Sequence, residues 1–135
     1  MPHYLADTSA WNRSTATSER WAELLGADRL AICVPIRLEL LYSARSRLEY
    51  AGLRNDLAAL PELPLNRRAI ALAERTQAAL SATSRHRGPK VIDLLVAGVA
   101  EASGAIVLHY DRHFDAIARV TGQPTEWLAR RGSLD

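Results

Sequence analysis

Three short apolar runs, Tyr4-Leu5-Ala6, residues 30–34 and residues 105–109, lie far apart in the chain, with longer segments of mixed polarity between them. Runs this short are strand-sized, whereas the intervals carry apolar residues at helical spacing. Strands separated by helices cannot be joined as hairpins, so they pair in parallel, with helices packed on the sheet. The expectation is an α/β fold with a mostly parallel central sheet flanked by helices. Ligands of such sheets gather beyond the carboxyl ends of the strands.

Pro35 suits the first position of a helix running to about Arg47, because its missing N–H falls where a helix has no partner for it. Residues 55–60 and 67–84 read as further helices, with Pro61 and Pro64 breaking the chain between them. A helix over 90–103 is closed by Gly104, and one over 113–121 by Gly122. Asp7-Thr8-Ser9 opens another candidate helix, and residues 63–65 are a candidate short strand. With 135 residues, 48% of them hydrophobic, and no repeat or linker-like tract, the chain reads as one domain over 1–135.

Cys33 is the only cysteine, which excludes an intrachain disulfide and a thiolate zinc site built by this chain alone. The N-terminal residues lack a basic leader and an apolar stretch, and no run approaches membrane length. The expectation is a soluble, cytoplasmic protein. A formal charge of +2 fits an anionic partner without requiring one.

Acidic residues interrupt this apolar pattern. Asp7 directly follows the first strand, where it either caps a helix or faces a site. Glu39 lies between Leu38 and Leu40, either paired with Arg37 or Arg45 or left with little polar company. Asp93 is the sharpest anomaly, one acid within Val91-Ile92-Asp93-Leu94-Leu95-Val96-Ala97. Burying an unpaired carboxylate costs several kcal/mol, so a cation is expected nearby; the alternative is a first-turn position favoured by the helix dipole, with Lys90 as partner. Asp111 and Asp115 follow the third strand, and either can stabilise the start of the last helix; Asp111 lies closer to the strand end.

Taken together, these acids collect where a parallel sheet binds ligands. Crowded carboxylates repel and raise one another's pKa, a conflict that a hard cation with oxygen ligands removes. Mg²⁺ or Mn²⁺ suits such a set better than Zn²⁺. The histidines His3, His86, His109 and His113 match no zinc-protease spacing, and the chain has no Gly-rich phosphate loop, no Gly-x-Ser-x-Gly elbow and no Asp-x-Asp pair at Asp7.

With those residues in place, the chain resembles the PIN-domain ribonucleases and, within them, the VapC toxins of type II VapBC toxin-antitoxin pairs. The motifs that carry the resemblance are Tyr4-Leu5-Ala6-Asp7-Thr8-Ser9, Arg37-Leu38-Glu39-Leu40, Val91-Ile92-Asp93-Leu94-Leu95-Val96-Ala97 and Tyr110-Asp111-Arg112-His113-Phe114. It implies a PIN-like three-layer fold, Mg²⁺- or Mn²⁺-dependent endonucleolytic cleavage of RNA, homodimers, and inhibition by a cognate VapB-type antitoxin. By the same resemblance Asp7, Glu39, Asp93 and Asp111 match the acidic metal-binding and catalytic quartet. Ser9 matches a supporting hydroxyl, and Asp115 an extra acid found in some members.

Arg85, Arg87 and Lys90, a few residues before Asp93, and Arg112 beside Asp111 are candidate contacts to an RNA backbone. The competing reading is a solvated helix end and turn. Two functional alternatives stay open on sequence alone. One is a non-catalytic RNA-binding or antitoxin-interaction module with a structural cation; the other is a related DNA-directed or structure-specific nuclease.

Overall fold

The computed structural model describes residues 2–135. Four strands, β1 (Tyr4–Ala6), β2 (Leu30–Ala31), β3 (Ile106–His109) and β4 (Thr125–Trp127), form one sheet in the order β2-β1-β3-β4, every pairing parallel. Seven helices connect them: α1 (Thr8–Trp11), α2 (Ser18–Gly26), α3 (Val34–Tyr42), α4 (Arg47–Leu57), α5 (Arg67–Ser81), α6 (Val91–Ser103) and α7 (His113–Thr121).

The two-residue period of a strand sends alternate side chains to opposite faces, and the central strands are apolar on both. Leu5 and Val107 enter a core with Ile36 of α3, Leu80 of α5, Val96 and Val99 of α6, and Phe114 and Ile117 of α7. Ala6 and Leu108 enter a second core with Ala10 of α1, Trp21 and Leu24 of α2, and Leu128. These two cores give the three-layer arrangement. Each fully buried Leu, Ile or Phe among them contributes about 1.5–3 kcal/mol of hydrophobic stabilisation.

Helices α5 and α6 approach closely because Gly98 of α6 lies against the α5 backbone. A Cβ there would collide with the Ala69 carbonyl oxygen and stand 3.2 Å from the Ala73 nitrogen. Gly104 ends α6 with φ +68°, a left-handed conformation that glycine adopts without strain, and turns the chain into β3.

Several sequence expectations are corrected. The strand expected over 30–34 shortens to β2, followed by a single bridge from Ile32 to Glu62, which is all that forms near the expected strand at 63–65. Helix α3 begins at Val34, with Pro35 in its first turn, and stops at Tyr42 rather than Arg47. Ser46 then caps α4 by accepting the Glu49 N–H at 3.0 Å, so the helix expected over 55–60 starts earlier and ends at Leu57. Helix α5 ends at Ser81, not 84, and Lys90 is the cap of α6 rather than its first residue. Helix α2 and strand β4 were not expected. β4 reads Thr-Glu-Trp, too short and polar to signal a strand, and it forms because β3 offers it an edge.

Candidate functional site

The strand order places β1 and β3 side by side at the centre of the sheet, and both lead into acids. The Asp7 N–H donates to the Leu108 carbonyl at 2.9 Å, extending the β1–β3 ladder one residue beyond β1. Asp7 then caps α1, its Oδ2 accepting the Ser9 N–H at 3.1 Å, while its Oδ1 is buried without a hydrogen-bond partner. The helix-cap and site readings of Asp7 thus describe different oxygens of one carboxylate. An orphaned buried oxygen of this kind is costly unless something polar or cationic meets it.

Asp93 lies in the first turn of α6 and is only 5% exposed. Its Oδ2 accepts the Lys90 backbone N–H at 2.9 Å, so the partner supplied by Lys90 is its amide; no ion pair with its side chain forms. Burial, reinforced by the carboxylates of Asp7 and Asp111, pushes Asp93 up to about 6, against lowering contributions from the Lys90 amide and His113. Asp7 is likewise raised, chiefly by burial and further by Glu39, although the Ser9 hydroxyl and amide oppose the shift. Asp7 therefore couples to both Glu39 and Asp93, and Asp93 to Asp111. Four separate segments bring these carboxylates within electrostatic reach of one another.

Glu39 projects from α3, the helix that follows β2, and accepts a hydrogen bond from the Thr8 hydroxyl, the residue next to Asp7. Arg37 pairs with Glu62, leaving the Glu39 carboxylate to Thr8. Asp111 sits two residues beyond β3 and before α7, so it is not helical. Its N–H donates to His109 Nδ1 at 3.2 Å, and its Oδ1 accepts the His113 N–H at 2.9 Å. Ser9 bridges the two strand ends, its hydroxyl accepting the Tyr110 N–H at 2.9 Å.

Asp115 is placed differently. Its Oδ1 accepts the Trp127 indole N–H at 3.1 Å and its Oδ2 stands 4.0 Å from the Arg131 guanidinium. Arg85, Arg87, Lys90 and Arg112 are exposed, and the turn at Gly88 lies against the His113 ring. Sequence reasoning missed Thr8, His113, Trp127 and Arg131. Of these only His113 carried a signal, its position two residues after Asp111.

His109 is fully buried between Phe114 and Trp127, with ring centroids 5.1 and 4.9 Å away. Burial lowers its pKa to about 4, which keeps Nδ1 free to accept from Asp111. Burial pushes the Cys33 thiol up to about 11, so it behaves as a small core residue.

The acids fit a hydrated divalent ion. Among the described residues no three His, Cys, Asp or Glu side chains stand close enough together to hold a metal ion by themselves. Mg²⁺ rarely needs three protein ligands, since it keeps several waters and binds through one or two carboxylates together with substrate phosphate. The orphaned Asp7 Oδ1 and the raised Asp7 and Asp93 are what such an ion would relieve.

The PIN domain family model matches residues 4–120. The chain belongs to the PIN-domain family. Within it, the chain is 42% identical over 135 residues to Ribonuclease VapC18 of Mycobacterium tuberculosis, covering 97% of this chain and 98% of the relative. Ribonuclease VapC51 of the same organism is 39% identical over 138 residues, with 98% and 97% covered. A crystal structure of DNA-bound VapBC from Salmonella typhimurium superposes with a TM-score of 0.78 at 20% identity, covering 96% of this chain and 100% of that one. VapBC-1 from nontypeable Haemophilus influenzae gives 0.73 at 19%, covering 93% and 97%. The α/β fold with an all-parallel sheet is thus the PIN fold, and the acidic ends of β1 and β3 lie within the matched region.

Proposed function

We propose that this PIN-domain chain is a VapC-type endoribonuclease that hydrolyses RNA with Mg²⁺ or Mn²⁺ held by Asp7, Asp93, Glu39 and Asp111. The observation that carries the reading is the convergence of these acids at the carboxyl ends of β1 and β3, with an unpartnered oxygen on Asp7 and Asp93 raised to about 6. The full-length relatives named ribonucleases support the same reading.

When bound, the ion would acidify a water and offset the charge that develops on the phosphate oxygens. Asp7 and Asp93 serve as the direct ligands, because they are the most buried of the four and already deprived of counter-charge. Glu39, oriented by Thr8, would help hold the ion or serve as the base toward a bound water. Asp111, fixed by the His109 ring and the His113 amide, would hold the ion directly or through water. Ser9 holds the Asp7 and Asp111 segments in register. Arg85, Arg87, Lys90 and Arg112 supply positive charge along the approach for the RNA backbone.

A VapB-type antitoxin is the partner of this reading, supported by the VapC naming of the relatives. An open apolar groove of about 560 Å³ beside Glu39, lined by Leu38, Tyr42, Val91 and Leu95, offers a surface for a protein to cover. Tyr42 is 91% and Val91 70% exposed there.

The deciding experiment is cleavage of single-stranded RNA by the purified protein with Mg²⁺, with Mn²⁺ and with EDTA, alongside Asp7→Asn and Asp93→Asn and a DNA strand of the same sequence. Activity that needs the metal and falls by at least ~100-fold in either variant agrees with the proposal. Cleavage in EDTA, full activity in both variants, or a preference for DNA overturns it.

A further inference from the structure

Adjoining the acidic centre at Asp111, a recess of about 310 Å³ is lined by Arg13, Arg112 and Arg131, by Tyr110 and Trp127, and by the carboxylates of Asp111 and Asp135. We propose that this recess is a nucleotide subsite, which takes one base and its phosphate from the single-stranded RNA next to the scissile position. The inference rests on the ribonuclease reading above and extends it to where the strand runs.

The lining combines three guanidinium groups and two aromatic rings with two carboxylates. Arg13 lies 4.3 Å from the Tyr110 ring centroid and Arg131 lies 5.6 Å from that of Trp127. The two rings meet edge to face at 5.3 Å and 81°. Tyr110 is only 7% exposed and carries Arg13 on its ring, so the partly exposed Trp127 supplies the stacking face. An aromatic face that accepts any base, next to cations that follow the backbone, is the usual means of holding single strands. The volume is at the lower end of small-ligand sites, which suits one nucleotide and no more.

Each component is fixed before any ligand arrives. The Arg13 guanidinium donates to the Ser9 carbonyl at 3.0 Å, Tyr110 Oη accepts the Leu134 N–H at 2.8 Å, and the Trp127 indole donates to Asp115. Pairing of His109 with Trp127 across β3 and β4 sets the backbone beneath the indole. Such pre-ordering reduces the entropy lost on binding. Asp115, which sequence placed among the acids, acts here as the support for Trp127. Its loose approach to Arg131, 4.0 Å, leaves that cation free to meet a phosphate.

Charge favours a nucleic-acid strand running this way. The catalytic centre is itself anionic, so a polyanion crossing it must find cations on its flanks. On the Asp111 side Arg13, Arg112 and Arg131 are those cations, outnumbering the Asp111 and Asp135 carboxylates of the recess, and Trp127 is partly exposed among them. An acidic protein segment would use the arginines but has no use for the stacking face.

The test uses the full chain and a mixed-sequence single-stranded RNA, with kcat and KM followed over a salt series. Arg131→Gln changes a side chain that is 61% exposed and so does not threaten folding. Trp127→Leu probes stacking, and Arg68→Gln on the exposed face of α5 is the control. The expected result is a KM raised about tenfold in Trp127→Leu, and a raised KM with a salt slope lowered by about one in Arg131→Gln. Shortening the RNA stepwise from one end should abolish these differences, since the lost nucleotide is the one the recess holds. Wild-type cleavage with unchanged KM and salt slope in Arg131→Gln overturns the subsite and leaves the ribonuclease standing. Retained RNA kinetics with lost binding of an acidic peptide also overturns it. Wild-type protein that cleaves no RNA with either metal overturns both.

Discussion

The Ser9 hydroxyl accepts the Tyr110 backbone N–H at 2.9 Å, a bond between residues 101 apart in sequence. It ties the first turn of α1 to the segment leaving β3, so the carboxylates at the ends of β1 and β3 keep a fixed separation. The Ser9 amide and hydroxyl also lower the raised pKa of Asp7.

Ser9→Ala should therefore affect both stability and chemistry. Loss of the acceptor leaves the Tyr110 N–H without its partner and costs about 1–3 kcal/mol. Metal affinity or kcat should fall about 10–100-fold, as when groups supporting metal ligands are removed. Thermal unfolding and steady-state kinetics on Ser9→Ala and Ser9→Thr separate the two effects, since Thr restores the hydroxyl.

The raised pKa of Asp93 predicts a pH dependence of stability in metal-free protein. An acid whose folded pKa lies above its unfolded value of 3.8 favours folding when protonated, and that contribution is lost as pH rises through about 6. Asp93→Asn, which keeps an acceptor for the Lys90 N–H, should match wild type near pH 4. At pH 7 in EDTA it should be more stable by about 1–2 kcal/mol, allowing for solvent screening. Equal stability of the two proteins at both pH values in denaturant titrations would contradict this origin of the shift.

Adding Mg²⁺ or Mn²⁺ at pH 7 should raise the melting temperature. The stabilisation reaches about 2.7 kcal/mol once free ion exceeds its dissociation constant about a hundredfold. It should be smaller at pH 5, where Asp93 holds a proton, and nearly absent in Asp7→Asn. Calorimetric scans with and without the ion measure this independently of any RNA.

Gly98→Ala should destabilise the fold without touching the acids. The added Cβ meets the Ala69 carbonyl in the first turn of α5, and helix backbone has no flexible end that could yield. A loss of about 1–3 kcal/mol is expected for overpacking of this kind. Denaturant midpoints measure the loss, and activity per folded molecule at low temperature should stay near wild type.

The architecture was legible in the sequence where a physical signal ran through a whole element. The apolar runs that became β1 and β3, and the helix over Arg67–Ser81, stood out by period and by flanking Pro, Asn or Gly. Ser46 with Glu49 three residues later is the capping signal that separates α3 from α4, and it outweighs the continuous helical composition around it. β4 was illegible, because its order comes from β3 rather than from its own residues. Asp93 announced itself through its apolar neighbours. The recess could not be anticipated, since Arg13, Tyr110 and Trp127 meet only after the sheet forms.

β4 is an edge strand paired only with β3, and it begins after the last residue matched by the family model. The Trp127 ring packs on His109 of β3, whose Nδ1 accepts the Asp111 N–H, whereas the Arg131 side chain is 61% exposed and lies outside the packing of β1, β3, α3 and α6. The chain therefore sets a buried reaction engine, reaching as far as Trp127, beside an exposed margin around Arg131. Replacing that margin offers a way to redirect which RNA is cut while the chemistry is left intact.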